Sequence, residues 1–172
     1  MRGKGMLDQL AEIAAEAGTL LKARKQTIAV VDGSTGGLIS ASLLAMPGAS
    51  AFFLGGSVIY TLKGRRIALG HEPGSLRGFT SATEPYALAQ ARLIRERLGG
   101  DWGIAETGAS GGSAHPLGVA SGTSAIGVVG PDGIEASVQV VTQSNDRLAN
   151  MQDFTRAALT LLRDTLAAHS GT

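Results

Sequence analysis

An apolar run that stops at a glycine-rich turn constrains this chain more than any other stretch. Residues 28–31 have the short, β-rich pattern of a buried strand, and apolar residues at helical spacing begin after Gly37. The turn 32–37 therefore lies between the end of a strand and the start of a helix. We expect the N–H groups of Thr35, Gly36 and Gly37 to lie at the helix N-terminus, where they could bind an anion. The same residues are equally consistent with a simple helix cap.

Composition limits the classes of protein and of partner. A chain of 172 residues has the length of one domain, so we expect a single domain over 1–172. The net charge of +1 and the absence of a dense cluster of Lys and Arg disfavour nucleic acid as the main partner. The sequence has no cysteine and no apolar run of the roughly 20 residues that span a membrane. We expect a cytoplasmic protein with a small-molecule ligand, no membrane partner and no cofactor.

Hydrophobic periodicity predicts an alternation of helices and strands. The predicted helices are 7–25, about ten residues before Pro47, 83–98 and 145–168, and the predicted strands are 28–31, 56–62, 102–106, 118–129 and 134–143. A surface loop is expected over 71–81, and a Pro-Gly turn should join the last two strands as an antiparallel pair. This order predicts an α/β fold, namely a three-layer α/β/α sandwich with a mixed sheet.

A second glycine-rich segment, 107–113, also follows a predicted strand. Because ligands of open α/β sheets bind outside the carboxyl ends of strands, we expect this segment and the turn 33–37 to converge on one pocket. A glycine at position 33 could also have a backbone role there, through a positive φ.

Short motifs, in the same order along nearly the whole chain, resemble those of a known family. The family is the C-terminal domain of the CinA competence/damage-inducible proteins, whose active members are nicotinamide mononucleotide deamidases. The matching segments are Ser34-Thr35-Gly36-Gly37, Pro47-Gly48-Ala49-Ser50, Gly55-Gly56 with Tyr60, Thr83-Glu84-Pro85, 107–112, 115–118 and Asn145-Asp146-Arg147. The resemblance implies the family's α/β fold and a pocket for a nicotinamide nucleotide.

The chain departs from the family at both positions of the catalytic pair that the resemblance implies. The family's nucleophilic serine aligns with Gly33, and Ser34 takes the neighbouring position. The family's basic lysine aligns with Arg65, while Lys63 lies two residues earlier. Arginine is a poor base because its pKa stays above about 12. The resemblance also places Tyr60 near this pair, although a tyrosine in a strand is more often a core residue.

The binding residues that the resemblance implies are retained. They are Gly33, Thr35, Gly36, Gly37, Thr107, Gly108, Gly111, Gly112 and Arg147. Backbone amides of the two glycine segments and the guanidinium of Arg147 could together hold a phosphate monoester. Arg65 could serve the same ligand as a cation. By spacing alone, Arg147 would be a solvated helix residue paired with Asp146.

The other ionisable residues give weaker signals. His71, His115 and His169 are far apart and lack acidic partners at ligand spacing, so we expect no metal site. Glu106 follows a predicted strand and could be a buried acid or base with a raised pKa. A structural carboxylate bound to loop amides is the other interpretation of Glu106, and Asp32 leaves the same two interpretations open.

Two functional classes follow from these residues. The first is a binding or regulatory domain with a phosphorylated-nucleotide pocket and weak or no deamidase activity. The second is an active amidohydrolase in which Ser34 is the nucleophile and Lys63 is the base. Homo-oligomer formation is a further expectation, based only on how often small domains pair.

Overall fold

The computed structural model of the protein describes residues 3–70, 72 and 74–169. In chain order the helices and strands of these residues are α1 (Met6–Arg24), β1 (Ile28–Asp32), α2 (Leu38–Leu44), β2 (Phe53–Val58), α3 (Leu62–Leu69), α4 (Glu84–Leu98), β3 (Trp102–Ala109), β4 (Thr123–Val129), β5 (Glu135–Val141) and α5 (Arg147–Ala168). Short 3₁₀ turns lie at Ala49–Ala51 and Pro131–Gly133.

The strands form one mixed sheet in the order β2-β1-β3-β4-β5. Strand β1 pairs in parallel with β2 and β3, whereas β4 is antiparallel to both β3 and β5. Every residue of β1 is buried, as expected for a central parallel strand that is covered on both faces. The parallel pairing brings the carboxyl ends of β1, β2 and β3 to the same edge of the sheet.

Alternate residues of β1 enter two separate cores. Ile28 and Val30 pack with helices α1, α2 and α5, and Ala29 and Val31 pack with α4 and the end of α3. The sheet is therefore the middle layer of a three-layer α/β/α sandwich, which confirms the predicted fold class. The largest fully buried side chain, Trp102, belongs to the core on the α1 and α5 side.

The predicted strand 56–62 is wrong at both ends. The strand begins earlier, at Phe53, and it ends at Val58. A helix that the sequence did not predict, α3, follows it, and its first turn is capped by Thr61, whose hydroxyl accepts the Gly64 N–H at 3.0 Å. Among the residues of α3 only Leu69 is fully buried, so the helix has no apolar stripe that could reveal it.

Two further boundaries differ from the prediction. Strand β3 continues to Ala109, so Thr107 and Gly108 lie in a strand and not in a loop. Strand β4 begins only at Thr123, because Gly118 and Gly122 have positive φ and interrupt extended backbone. The predicted antiparallel pair and the helix over 83–98 are confirmed. Of the predicted surface loop, residues 74–78 form turns, while His71 and Pro73 lie outside the described residues.

Close packing of α4 on the sheet depends on a glycine in β4. A Cβ at Gly127 would lie 2.6 Å from the Leu88 backbone nitrogen and 2.8 Å from the Ala87 carbonyl carbon. We predict that Gly127→Ala lowers the free energy of unfolding by about 2 kcal/mol, because the helix backbone must shift to admit a methyl group. Chemical denaturation of the natural and variant proteins measures this difference.

Gly55→Ala in β2 is the matched control. The nearest atom to a Cβ there is the flexible Leu98 side chain, at 3.3 Å. Equal losses of stability in the two variants would show that the backbone contact with α4 is not the limiting feature.

Candidate functional site

A cavity of about 410 Å³ lies at the edge of the sheet where the parallel strands end. Both glycine-rich segments line it: Gly33 and Ser34 come from the turn after β1, and residues 108–111 come from the end of β3. The remaining wall is formed by the segment after β2, by α3 and α4, by the loop 113–117 and by Arg147 at the start of α5. The two segments thus meet at one cavity, as their positions after parallel strands predict.

The carboxylate of Asp32 binds the first turn of α2. Its two oxygens accept the backbone N–H groups of Ile39 at 2.9 Å and of Ser40 at 3.1 Å, and the hydroxyls of Thr35 and Ser40 at 2.7 Å each. The carboxylate is completely buried. The amides at the start of α2 are therefore bound to an anion of the chain itself, and Asp32 is a structural capping residue.

Glu106 of β3 binds the same turn from the other side. Its Oε2 accepts the Thr35 N–H at 3.0 Å, which confirms the interpretation of a carboxylate bound to a loop amide. The Gly36 N–H donates to the Gly33 carbonyl at 3.1 Å. The prediction that the amides of Thr35 and Gly36 bind a ligand anion is therefore wrong, because both already have partners within the protein.

The second oxygen of Glu106 binds two serines. Oε1 accepts the hydroxyls of Ser34 and Ser124, each at 2.5 Å. Glu106 and Ser124 are fully buried, whereas Ser34 is partly exposed and lines the cavity. Ser34 is thus in contact with the cavity on one side and with a buried carboxylate on the other.

Burial raises the pKa of the Glu106 carboxyl group above its ordinary value. Hydrogen bonds from Ser124, Ser34 and the Thr35 amide act in the opposite direction, and the nearby charge of Asp32 raises the pKa further. The net direction is upward, which brings the protonation of Glu106 closer to neutral pH.

Gly33 stands where the family's serine is expected, and its surroundings admit only a glycine. A Cβ there would lie 2.5 Å from the backbone carbonyl oxygen of Glu106. The backbone role expected of Gly33 is thus a close approach to β3 and not a positive φ, since the positive φ angles of the turn belong to Gly36 and Gly37. A serine side chain at position 33 would require the turn and β3 to separate.

The two candidate bases differ in position. Lys63 is exposed on α3 and is not among the residues that line the cavity. Arg65 lines the cavity, donates a hydrogen bond to the hydroxyl of Tyr86, and lies with its guanidinium carbon 5.3 Å from the Tyr86 ring centroid. The Nε of Arg65 is buried and has no hydrogen-bond partner among the described residues.

Arg147 and Tyr60 lie together at the cavity. The guanidinium of Arg147 donates to the Gly111 carbonyl at 2.8 Å and to the Tyr60 hydroxyl at 3.2 Å. Tyr60 lies after the end of β2 and its residue surface is 75% exposed, so the expectation of a strand core residue is wrong. Asp146 instead caps α5 through the Ala149 N–H.

Helix α5 also holds the second glycine segment. The side chains of Asn145 and Asn150, which precede and belong to this helix, bind the backbone of Gly112 at 3.0 Å and of Ser110 at 2.8 Å. Gly111 and Gly112 both have positive φ. The predicted binding residues that line the cavity are Gly33, Thr107, Gly108, Gly111 and Arg147, whereas Thr35, Gly36, Gly37 and Gly112 do not line it.

Several residues of the site were not predicted from the sequence, and three of them have polar side chains that matter to its chemistry. Tyr86 and Gln90 line the cavity from α4, and Ser124 holds Glu106 from β4. Nothing in the spacing of Tyr86 or Gln90 separates them from the buried residues of an ordinary helix. Ser124 could be found only from the strand register, which pairs it with Gly108.

Comparison with known protein families shows which family the chain belongs to. The model of the CinA C-terminal domain matches residues 10–166. The chain belongs to the CinA C-terminal domain family. Among CinA-like proteins, that of Desulfosudis oleivorans is 34% identical over 152 residues, and that of Synechocystis is 37% identical over 135 residues.

These matches cover 88% and 78% of this CinA domain but only 37% and 32% of the relatives, so the chain spans about a third of their length. The structure of competence/damage inducible protein CihA from Agrobacterium tumefaciens matches with a TM-score of 0.83 and 22% identity, over 96% of this chain and 98% of the other. A CinA superfamily protein from Enterobacter cloacae matches with a TM-score of 0.82 and 24% identity, over 91% and 92% of the two chains.

In the part of the chain that the structure describes, no helix is both long and apolar enough to cross a membrane.

The raised pKa of Glu106 predicts how stability depends on pH. The folded protein holds the Glu106 proton more tightly than the unfolded chain, so this contribution to stability is complete below the ordinary Glu pKa and is lost as pH rises through the folded pKa. The free energy of unfolding of the natural protein, relative to Glu106→Gln, should therefore fall as pH rises from about 4. Urea denaturation of both proteins over a pH series measures this difference in the free energy of unfolding.

Glu135→Gln provides a control of opposite sign. A hydrogen bond from Arg92 lowers the pKa of the Glu135 carboxyl group, so its contribution is present above the ordinary Glu pKa and is lost as pH falls through the folded value. If the free energy of unfolding of the natural protein, relative to Glu106→Gln, rises with pH, the serine and amide hydrogen bonds outweigh burial in setting the pKa of Glu106.

Proposed function

We propose that this CinA domain binds a phosphorylated nicotinamide nucleotide in the cavity, and that its deamidation by the family's Ser/Lys route is weak or absent. The observation that carries the binding proposal is a pair of guanidinium groups without carboxylate partners at the cavity. Arg65 and Arg147 both line it, and neither forms an ion pair within 4 Å among the described residues.

The position of Arg147 supports a ligand role. A cation at a helix N-terminus is electrostatically unfavourable, because the helix dipole is positive there. Arg147 is the first residue of α5, and Asp146, which could have neutralised it, caps the helix instead. Its Nη1 and Nη2 groups donate to neutral oxygens of Gly111 and Tyr60. A phosphate on the ligand would give the Arg147 guanidinium an anionic partner through charge-assisted hydrogen bonds.

The size and surface of the cavity suit a nucleotide of this kind. A volume of about 410 Å³ lies within the range of small-molecule sites. Tyr60 and Tyr86 offer aromatic rings to a planar group, and Ile59, Leu62 and Leu117 add apolar surface. The resemblance to nicotinamide mononucleotide deamidases supplies the specific ligand, because the shape alone would accept other phosphorylated rings.

The proposal that deamidation by the Ser/Lys route is weak or absent depends on Gly33 and Arg65. Position 33 has no hydroxyl, and the contact with the Glu106 carbonyl excludes a larger side chain. An arginine side chain is a poor general base, so Arg65 does not replace a catalytic lysine. The alternative pair of Ser34 and Lys63 is not favoured by the structure, since Lys63 is exposed outside the cavity lining.

The phosphate contact is testable by calorimetry. We predict that Arg147→Ala weakens binding of nicotinamide mononucleotide by about 2 kcal/mol, the scale of one lost charge-assisted hydrogen bond. Binding of the nucleoside, which lacks the phosphate, should change much less. Titration of both ligands into the natural protein and the variant measures the difference.

Two further variants serve as controls. Arg147→Lys keeps the charge and should recover part of the affinity, whereas Lys63→Ala removes an exposed cation outside the cavity and should change nothing. Equal affinities of the natural protein for the nucleotide and the nucleoside would contradict the proposal that the cavity binds the phosphate.

A further inference from the structure

Ser34 and Glu106 form a contact that neither the family's Ser/Lys route nor the proposed ligand site uses. The Ser34 hydroxyl donates to Glu106 Oε1 at 2.5 Å, and Ser34 is the one of the two residues with exposed surface. Both residues line the cavity. A hydroxyl between an open cavity and a buried carboxylate has the arrangement of a nucleophile and its base.

We propose that Ser34 is a nucleophile and Glu106 is its general base, an acyl-transfer pair that replaces the family's serine and lysine. The chemical class of substrate is a small carbonyl compound, either an ester or a primary carboxamide. For the carboxamide of a nicotinamide nucleotide, the inference rests on the binding function proposed above.

The surroundings of Glu106 favour this role over that of Asp32. Asp32 is bound by two backbone amides of α2 and by two hydroxyls, which commits all of its oxygens to the helix cap. Glu106 accepts a hydrogen bond from only one backbone amide, that of Thr35. This bond is made to Oε2, whereas Ser34 binds Oε1. Burial disfavours the charged form of Glu106, so proton transfer from Ser34 relieves a buried charge.

Gly108 lies directly against the nucleophile and against β4, with no space for a side chain. A Cβ at this position would lie 2.8 Å from Ser34 Oγ, so any other residue would press on the hydroxyl. Gly108 and Ser34 both line the cavity. A glycine at 108 therefore lets β3 lie beside the Ser34 hydroxyl without displacing it from Glu106.

The proposed reaction has two balanced stages. Ser34 Oγ bonds to the carbonyl carbon, its proton passes to Glu106 Oε1, and the carbonyl π electrons move to oxygen. When these electrons return, the bond to the leaving group breaks, and the alcohol or ammonia leaves with the proton from Glu106. Water then attacks the acyl-Ser34 ester, gives a proton to Glu106, and breaks the C–Oγ bond, after which the proton returns to Ser34 and the acid is released.

A covalent probe tests the pair without knowledge of the substrate. An alkyl fluorophosphonate reacts with activated serines: Oγ bonds to phosphorus, the P–F bond breaks, fluoride leaves, and the hydroxyl proton passes to the base. We expect stoichiometric labelling of the full chain at Ser34, located by peptide mass spectrometry, and no labelling there in Ser34→Ala. Absence of labelling at Ser34 in the natural protein would overturn the proposal.

Variants separate the base from other groups. Glu106→Gln should slow labelling by about a hundredfold, the lower end of general-base effects, and Lys63→Ala should leave the rate unchanged. Circular dichroism establishes that each variant is folded. A folded Glu106→Gln that reacts at the natural rate, or a Lys63→Ala that does not react, would overturn the role of Glu106.

The pH profile of the natural protein tests the same role without a change at Glu106. The labelling rate should rise with pH through one inflection and then level off, because only ionised Glu106 accepts the proton. The charged and titratable groups around this carboxylate are Asp32 across Thr35 and, lining the cavity, Tyr60, Arg65, Tyr86, His115 and Arg147. An inflection that disappears in His115→Gln would assign the titration to the imidazole and overturn the proposal.

Ser124→Ala adds a directional readout. The hydrogen bond from the Ser124 hydroxyl lowers the pKa of Glu106, and Ser124 does not line the cavity. Its removal should move the inflection to higher pH while Ser34 is still labelled. An inflection that stays in place would show that another group titrates.

Ammonia release from nicotinamide mononucleotide distinguishes the two proposals. Slow release that needs Ser34 and Glu106 but not Lys63 would support both. Calorimetric binding of the nucleotide without labelling of Ser34 would overturn the catalytic pair alone, whereas labelling of Ser34 without nucleotide binding would overturn the proposed ligand alone.

Discussion

The binding of one turn by two buried carboxylates is the interaction on which the rest of the site depends. Asp32 holds the start of α2, and Glu106 holds Thr35 and Ser34 from the neighbouring strand. Each carboxylate is satisfied by hydrogen bonds, which offset the free energy of its burial. The turn is therefore fixed from both sides, and the Ser34 hydroxyl is held at the cavity instead of being free to rotate in solvent.

The fold could be predicted from the sequence wherever burial left a periodic pattern. The continuous apolar run of β1 indicated a central strand, and the apolar faces of α1, α4 and α5 indicated helices. Helix α3 could not be predicted, because it buries a single residue fully and its sequence continues the alternation of the preceding strand. The position of the cavity could be predicted from the ends of the parallel strands, since glycine-rich turns follow both β1 and β3.

The chemistry of the site was much less visible in the sequence. The contact of Ser34 with Glu106 joins residues that are 72 positions apart, and it depends on the parallel register of β1 against β3. The binding of the Thr35 amide by Glu106 likewise depends on that register, so the sequence alone left this amide as a candidate for a ligand anion. Arg147 and Arg65 were found through the family resemblance, and their lack of carboxylate partners emerged only from the structure.

The contact of Gly33 with β3 limits how this site can change. The obstructing atom is the main-chain oxygen of residue 106, which every amino acid at that position carries. No side-chain substitution at 106 can therefore make space for a serine at 33, and a side chain at 33 requires the strand and the turn to move apart. A larger residue at 33 therefore depends on a change of backbone, which a single side-chain substitution at 106 does not supply.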